Sequence, residues 1–239
     1  MAGIPKQKPA ARRPSRSSRS RATRTAVTTV ASGPSGEAED TTRGKILATA
    51  LQVFAERGFD GARTRDIAEQ AGANLGLITY YFRNKETLWR EVVTRAFAEL
   101  QQELAEVMAA PALIDGDERL QLEQLARRFI RFVARKPDFM RLMNDEGKRD
   151  SPRMRWLADR FVKPMHEGLR QLIERAQARG LLPQISPVSL HYIMLGAAGL
   201  LFSQAPECRR ITGIDPTTEE FANAHAEAVI SLLTASARV

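Results

Sequence analysis

Between Arg63 and Lys85 the chain gathers side chains that can grip a polyanion and touch the edges of bases: Arg63, Thr64, Arg65, Asn74, Thr79, Tyr80, Tyr81 and Lys85. Guanidinium and ammonium groups pair with phosphate oxygens, while hydroxyl and phenol groups hydrogen-bond to phosphates or bases. No comparable set points to catalysis. His166, His191 and His225 are widely spaced, with no His or Cys at metal-ligand intervals, so no metal site is expected. His166 alone stays in view, as a group that could hydrogen-bond a ligand. No glycine-rich phosphate loop, nucleophile elbow or paired-carboxylate motif occurs, and Asp145-Glu146 reads as a solvated helix end. The sequence therefore argues against an enzyme and calls for no cofactor.

The elements that must hold those side chains are two short helices and a tight turn. Thr64 is the candidate cap of the first, Asp66 sits in its first turn, and Ile67, Ala68 and Ala71 share a face. Gly72 suits the left-handed conformation that ends a helix, and Asn74 suits the cap of the next. In the second helix Ile78 and Phe82 share a face, leaving Leu75, Leu77, Thr79, Tyr80 and Tyr81 to cover the rest. They cannot all be buried. A second helix presented in this way beside a turn is the geometry that enters a major groove. Its support is a helix over Thr42 to Arg57, closed by Gly58, and a long helix from Lys85 to a stop at Pro111.

With Phe59-Asp60-Gly61 before it and Asn84-Lys85-Glu86-Thr87-Leu88 after it, this stretch resembles the amino-terminal DNA-binding domain of TetR-type transcriptional regulators. The resemblance covers roughly Thr42 to Trp89 and is carried by Thr64, Ile67-Ala68, Ala71-Gly72, Ile78, Tyr80, Phe82 and Lys85-Glu86 with Leu88. Such regulators often have Ser or Thr in place of Arg63, Lys or Pro in place of Leu75, and Tyr in place of Thr79. The departures bear on the operator rather than on the fold. Leu75-Gly76-Leu77 offers base edges no hydrogen bonds, so readout would lean on thymine methyls, Thr79 and Tyr80. Arg63 and Arg65 are then candidate phosphate clamps, with Tyr81 and Lys85 as further ones.

The chain has 239 residues, 43% of them hydrophobic and 27% charged, and no apolar run approaches the ~20 residues of a membrane span. Its single cysteine, Cys208, excludes a disulfide framework and fits a reducing cytoplasm. Eight of the 36 basic residues lie in residues 1 to 36 without one acid, so the remaining 28 face 28 acidic residues and the net charge of +8 belongs to that tail. The tail is expected to be disordered. It lacks the apolar core of a secretory signal, and its Pro and Ser residues spoil the amphipathic helix of a transit peptide. It reads either as a basic arm on DNA or as a solvated extension.

Beyond the head, periodicity and punctuation predict helices over Asp117 to Lys136, Asp138 to Glu146, Pro152 to Ala178 with a kink at Pro164, and Ser186 to Ser203. A connector from Ala205 to Gly213 and a last helix opened by Asp215-Pro216 follow. No strand pattern occurs, so the fold class is all-α. The expected parts are a tail (1–36), a helix-turn-helix domain (40–86) and a helical ligand-binding and dimerisation domain (87–239). The resemblance implies an effector pocket in the last of these. Phe129, Phe132, Phe139, Met143, Trp156, Phe161, Met165 and His166 are its candidate lining, for a small apolar or aromatic effector. Gly196, Ala197, Gly199, Phe202, Ala224 and Ala228 could form the four-helix dimer interface that such regulators use, or pack within one chain. These readings converge on a cytoplasmic homodimeric regulator of double-stranded DNA, a ligand-responsive repressor on a partly palindromic operator. An architectural or replication-linked DNA-binding protein, and an all-helical carrier or enzyme, stay open as alternatives.

Overall fold

Gly58, Gly72 and Asn74 punctuate the head where the sequence sets them. The computed structural model describes residues 36–109 and 118–235, so the tail over 1–35 lies outside the described residues. Helix α1 (Gly36–Gly61) starts before the expected Thr42. Gly58 interrupts α1 with φ 65° and ψ 173°, a conformation almost confined to glycine.

Helix α2 (Thr64–Gln70) is capped by Arg63 in extended backbone and without a side-chain hydrogen bond, so Thr64 is the first helical residue and not the cap. Gly72, at φ 65°, closes α2: its N–H donates to the Glu69 carbonyl and that of Ala73 to the Ala68 carbonyl. Asn74 caps α3 (Leu75–Phe82), its side-chain oxygen accepting from the Leu77 N–H at 2.9 Å. Asn84 does the same for α4 (Lys85–Ala109), accepting from the Thr87 N–H at 2.8 Å. Phe54, Ile67, Ile78, Phe82 and Trp89 interlock these four helices from within. Each such side chain contributes about 1.5–3 kcal/mol by leaving water.

The body is built from α5 (Glu118–Arg135), α6 (Pro137–Glu146), α7 (Pro152–Leu157), α8 (Lys163–Ala178), α9 (Pro187–Ser203), α10 (Ala205–Thr212) and α11 (Glu219–Ala235). The described residues contain no strand. Pro137 cannot extend α5 but can open α6, so the two are separated only by Lys136. The kink expected near Pro164 is a π turn over Ala158–Val162 that joins α7 to α8. Pro164 has no N–H and its ring displaces the carbonyl four residues back, and a widened turn accommodates both.

Two boundaries of the body also differ from the sequence reading. The expected connector over 205–213 is mostly α10, opened by Pro206 and closed by Gly213 at φ 73°. Helix α11 starts after the Asp215-Pro216 signal because Asp215 is spent on a turn, accepting from the Thr217 N–H (3.0 Å) and hydroxyl (2.7 Å). Arg127 and Arg131 of α5 then clamp α11 through Glu227 and Asn223. No single helix among the described residues is long and apolar enough to cross a membrane.

Candidate DNA interface

Helix α3 is too short to bury more than one stripe, so its remaining side chains define a surface. Ile78 and Phe82 point inward. Leu75, Gly76, Thr79 and Tyr80 fall on the opposite side and are exposed, Tyr80 at 70% and Leu75 at 47%. Leu77 does not join them: it is half-buried against the head core. Tyr81 is also half-buried, with its ring 5.2 Å from that of Tyr80 and 5.9 Å from that of Phe82, so it braces Tyr80 from the side. Gly76 is the residue the cap tolerates, since a Cβ there would stand 3.0 Å from the capping oxygen of Asn74.

Beside this face lies a cleft of about 420 Å³ lined by Arg63, Thr64, Arg65, Thr79, Arg83, Asn84 and Lys85. Arg63 and Arg65, the expected phosphate clamps, are exposed there. Arg83 was not legible as a site residue: it belongs to neither helix, and only the turn after α3 brings it to the cleft. Lys85 has a different first duty from the one expected. Its ammonium donates to the carbonyls of Phe59 (2.8 Å) and Ala62 (3.0 Å) and lies 4.5 Å from the Phe59 ring centroid. It thereby ties the carbonyl end of α1 to the amino end of α4.

The same Phe59 ring meets the body. The Arg153 guanidinium lies 3.8 Å from its centroid, and Arg153 Nε donates to Glu146 at 3.0 Å. Glu146 is buried, not the solvated helix end that the sequence suggested. Its carboxylate is acceptable there because a guanidinium and the Ser151 hydroxyl (3.4 Å) face it. Neighbouring Asp145 approaches Gly58 so closely that a Cβ at that glycine would stand 2.8 Å from its oxygen. The end of α6 is therefore seated on the break in α1.

The expected effector residues divide. Phe132, Phe139 and Phe161 are buried, and the half-buried Trp156 packs on them: Phe161 stacks on Phe97 at 4.6 Å, Phe139 meets Phe97 and Phe132 edge-on, and Trp156 lies 5.5 Å from Phe161. These rings fill one another's space. Phe129, Met143 and Met165 pack, half-buried, at the edge of that core. His166 stands apart, edge-on to His191 of α9 at 4.8 Å, and burial followed by the His166 charge lowers the His191 pKa. A polar cleft of about 460 Å³ lies elsewhere, lined by Glu56, Arg57, Arg141, Asp145 and Arg149 among others.

The expected dimer residues divide as well. Gly199 and Phe202 are buried within the chain, and a Cβ at Gly199 would stand 2.5 Å from Met140 Cε of α6. Those two serve intrachain packing. Ala197 is half-buried, its carbonyl 2.7 Å from His225 Nε2. Gly196, Ala224 and Ala228 are exposed, and with Val188, Tyr192 and Leu200, one helical turn apart on α9, they leave an apolar face uncovered.

A four-helix head with an exposed reading helix, a flanking basic cleft and an all-helical body define a helix-turn-helix regulator. Residues 46–92 match the family model of bacterial regulatory proteins, tetR family, and residues 119–233 that of a tetracyclin repressor-like C-terminal domain. The chain belongs to the TetR family of transcriptional regulators. It is 30% identical to the HTH-type transcriptional repressor NicS of Pseudomonas putida over 70% of this chain and 77% of that protein. It is 28% identical to the HTH-type transcriptional regulator RutR of Escherichia coli over 83% and 91%. In fold it is similar to AibR, solved with isovaleryl coenzyme A and operator DNA, at a TM-score of 0.66 and 16% identity over 81% of this chain and 98% of that one. A ketosteroid transcriptional regulator of Mycobacterium tuberculosis is similarly close, at a TM-score of 0.64 and 18% identity over 80% and 94%.

Proposed function

We propose that the chain is a ligand-responsive repressor that binds a partly palindromic operator as a homodimer and works in the cytoplasm. The observation that carries the reading is the exposed face Leu75, Gly76, Thr79 and Tyr80 flanked by Arg63 and Arg65: apolar and hydroxyl groups for base edges beside guanidinia for phosphates. Residues 40–86 act as the DNA-binding domain, and 87–239 as the effector and dimerisation domain. Its effector is a small apolar or aromatic compound that enters by parting the aromatic core around Phe161 and Trp156. The likeness to NicS, a repressor, and to AibR, solved with isovaleryl coenzyme A and operator DNA, supports the repressor and ligand-response parts of this reading.

Trp156 touches Trp89 of α4 at 5.9 Å, and Arg153, three residues earlier, sits on Phe59. A ligand that moves α7 therefore moves the seat of α4, and with it α3. Coupling of this kind is reciprocal: DNA weakens effector binding by the factor by which effector weakens DNA binding. The test is to incubate the protein with fragmented source DNA at near-physiological salt and to sequence what it retains. A few promoter fragments sharing a palindrome, with half-sites about one helical turn apart, are expected. Uniform retention without a shared sequence would sink the operator reading.

A further inference from the structure

The turn between α3 and α4 is made by Arg83 and Asn84 alone, between Phe82 and Leu88, both buried. The Arg83 N–H donates to the Thr79 carbonyl at 2.9 Å, and the Asn84 N–H to the Phe82 carbonyl at 2.7 Å. The second bond closes a three-residue γ-turn around Arg83, whose φ is 63° and ψ −50°. This hand of γ-turn is rare and strained for any residue with a Cβ. At the other positive-φ positions of the described residues, Gly58, Gly72, Gly180 and Gly213, the chain uses glycine. At the mouth of the basic cleft it uses arginine.

Charge pairing sets the same residue apart. Four of the seven described arginines of the head are neutralised: Arg43 by Glu91, Arg57 by Asp66, Arg90 by Glu86 and Arg95 by Glu99. Arg63, Arg65 and Arg83 pair with no carboxylate among the described residues, although all three line one cleft with Lys85 and a single acid, Asp60. Like charges left together unneutralised repel, and a phosphate between them removes that cost.

We infer that Arg83 is a DNA-positioning residue, which grips a backbone phosphodiester together with Arg63 and Arg65, and that its strained turn is kept in order to hold a cation at that point. The inference rests on the DNA-binding function proposed above. It assigns the phosphate grip to the α3–α4 turn as well as to the start of α2.

The test uses the full chain and a labelled duplex of arbitrary sequence about three helical turns long, titrated between about 50 and 200 mM salt. Arg83→Gln removes the charge and keeps a Cβ, Arg83→Gly removes both, and Arg83→Lys keeps the charge. Loss of one phosphate contact makes the slope of log affinity against log salt shallower by about 0.9 in Arg83→Gln and Arg83→Gly, with roughly fivefold weaker binding near 0.1 M salt. Arg83→Lys keeps the wild-type slope. The thermal midpoint rises in Arg83→Gly and not in Arg83→Gln, because only glycine relieves the turn. A wild-type slope in Arg83→Gln overturns the phosphate grip, and a lower midpoint in Arg83→Gly overturns the strain. Affinity independent of salt in the wild-type protein would instead sink the DNA-binding reading, and this inference with it.

Discussion

Tyr80 and Tyr81 are neighbours of one residue type with different work, and the register of α3 decides which does what. Tyr80 is 70% exposed on the reading face, whereas Tyr81 leans on Phe82 at the head core. Tyr80→Ala should lower affinity for retained promoter fragments by about 10- to 100-fold, the usual worth of a base contact of ~1–3 kcal/mol, while affinity for an arbitrary duplex holds. Gel-shift titrations of both DNAs read this, and equal affinities for mutant and wild type would remove Tyr80 from the interface. His191 makes a second residue-scale prediction. Burial, and then His166, lower its pKa in the folded chain below the ordinary 6.5. The unfolded chain then binds the proton more readily. Stability from this group is whole above the unfolded pKa and is lost as pH falls from there through the folded value. Thermal midpoints at pH 7.5 and 5.5 should diverge less in His191→Gln than in the wild type, and an unchanged difference would refute this.

At the scale of elements, the break at Gly58 joins head to body. Its φ 65° and ψ 173° exclude most side chains, and a Cβ would strike Asp145 on the end of α6. Gly72 has the same φ but open space around its missing Cβ. Both alanine variants carry backbone strain, of order 1–3 kcal/mol each, and Gly58→Ala adds the clash. Urea unfolding should therefore rank Gly58→Ala as the less stable, and the reverse order would mean that α6 yields easily. The punctuation of the head was legible in sequence because glycine and cap side chains act within three or four residues. The π turn before Pro164 was not, since proline specifies that a helix must yield but not how. Helix α10 escaped because Ala205 is its only buried side chain and Ile211 stays exposed, which leaves no buried stripe to read.

For the whole molecule, the exposed apolar side chains of α9 and α11 are the surface on which the proposed homodimer would form. Val188, Tyr192, Gly196 and Leu200 follow one another at helical spacing, with Leu232 of α11 at 76% exposure. Leu200→Glu should place a charge in that interface, turn a dimer into a monomer by sedimentation and weaken promoter binding at least tenfold, since two reading helices no longer act together. A monomeric wild-type protein, or a dimeric variant of unchanged size, would rule this face out. Gly199 and Phe202 belong to the same helix but look toward α6, so substituting them would test the core instead.

What the amino-acid sequence determined by itself was the head: a helix-turn-helix with Ile67, Ile78 and Phe82 inside and Tyr80 outside follows from spacing and caps, because every contact that sets it is local or recurs with the helical period. The tertiary structure decided the rest. Lys85 looks like an unattached cation until the carbonyls of Phe59 and Ala62 are brought to it, and Glu146 looks solvated until Arg153 and Ser151 enclose it. Phe202 looks available for a partner until the body closes over it. In each case the deciding neighbour is more than about one helical turn away along the chain, and pairings beyond that range depend on how helices cross, which periodicity does not encode.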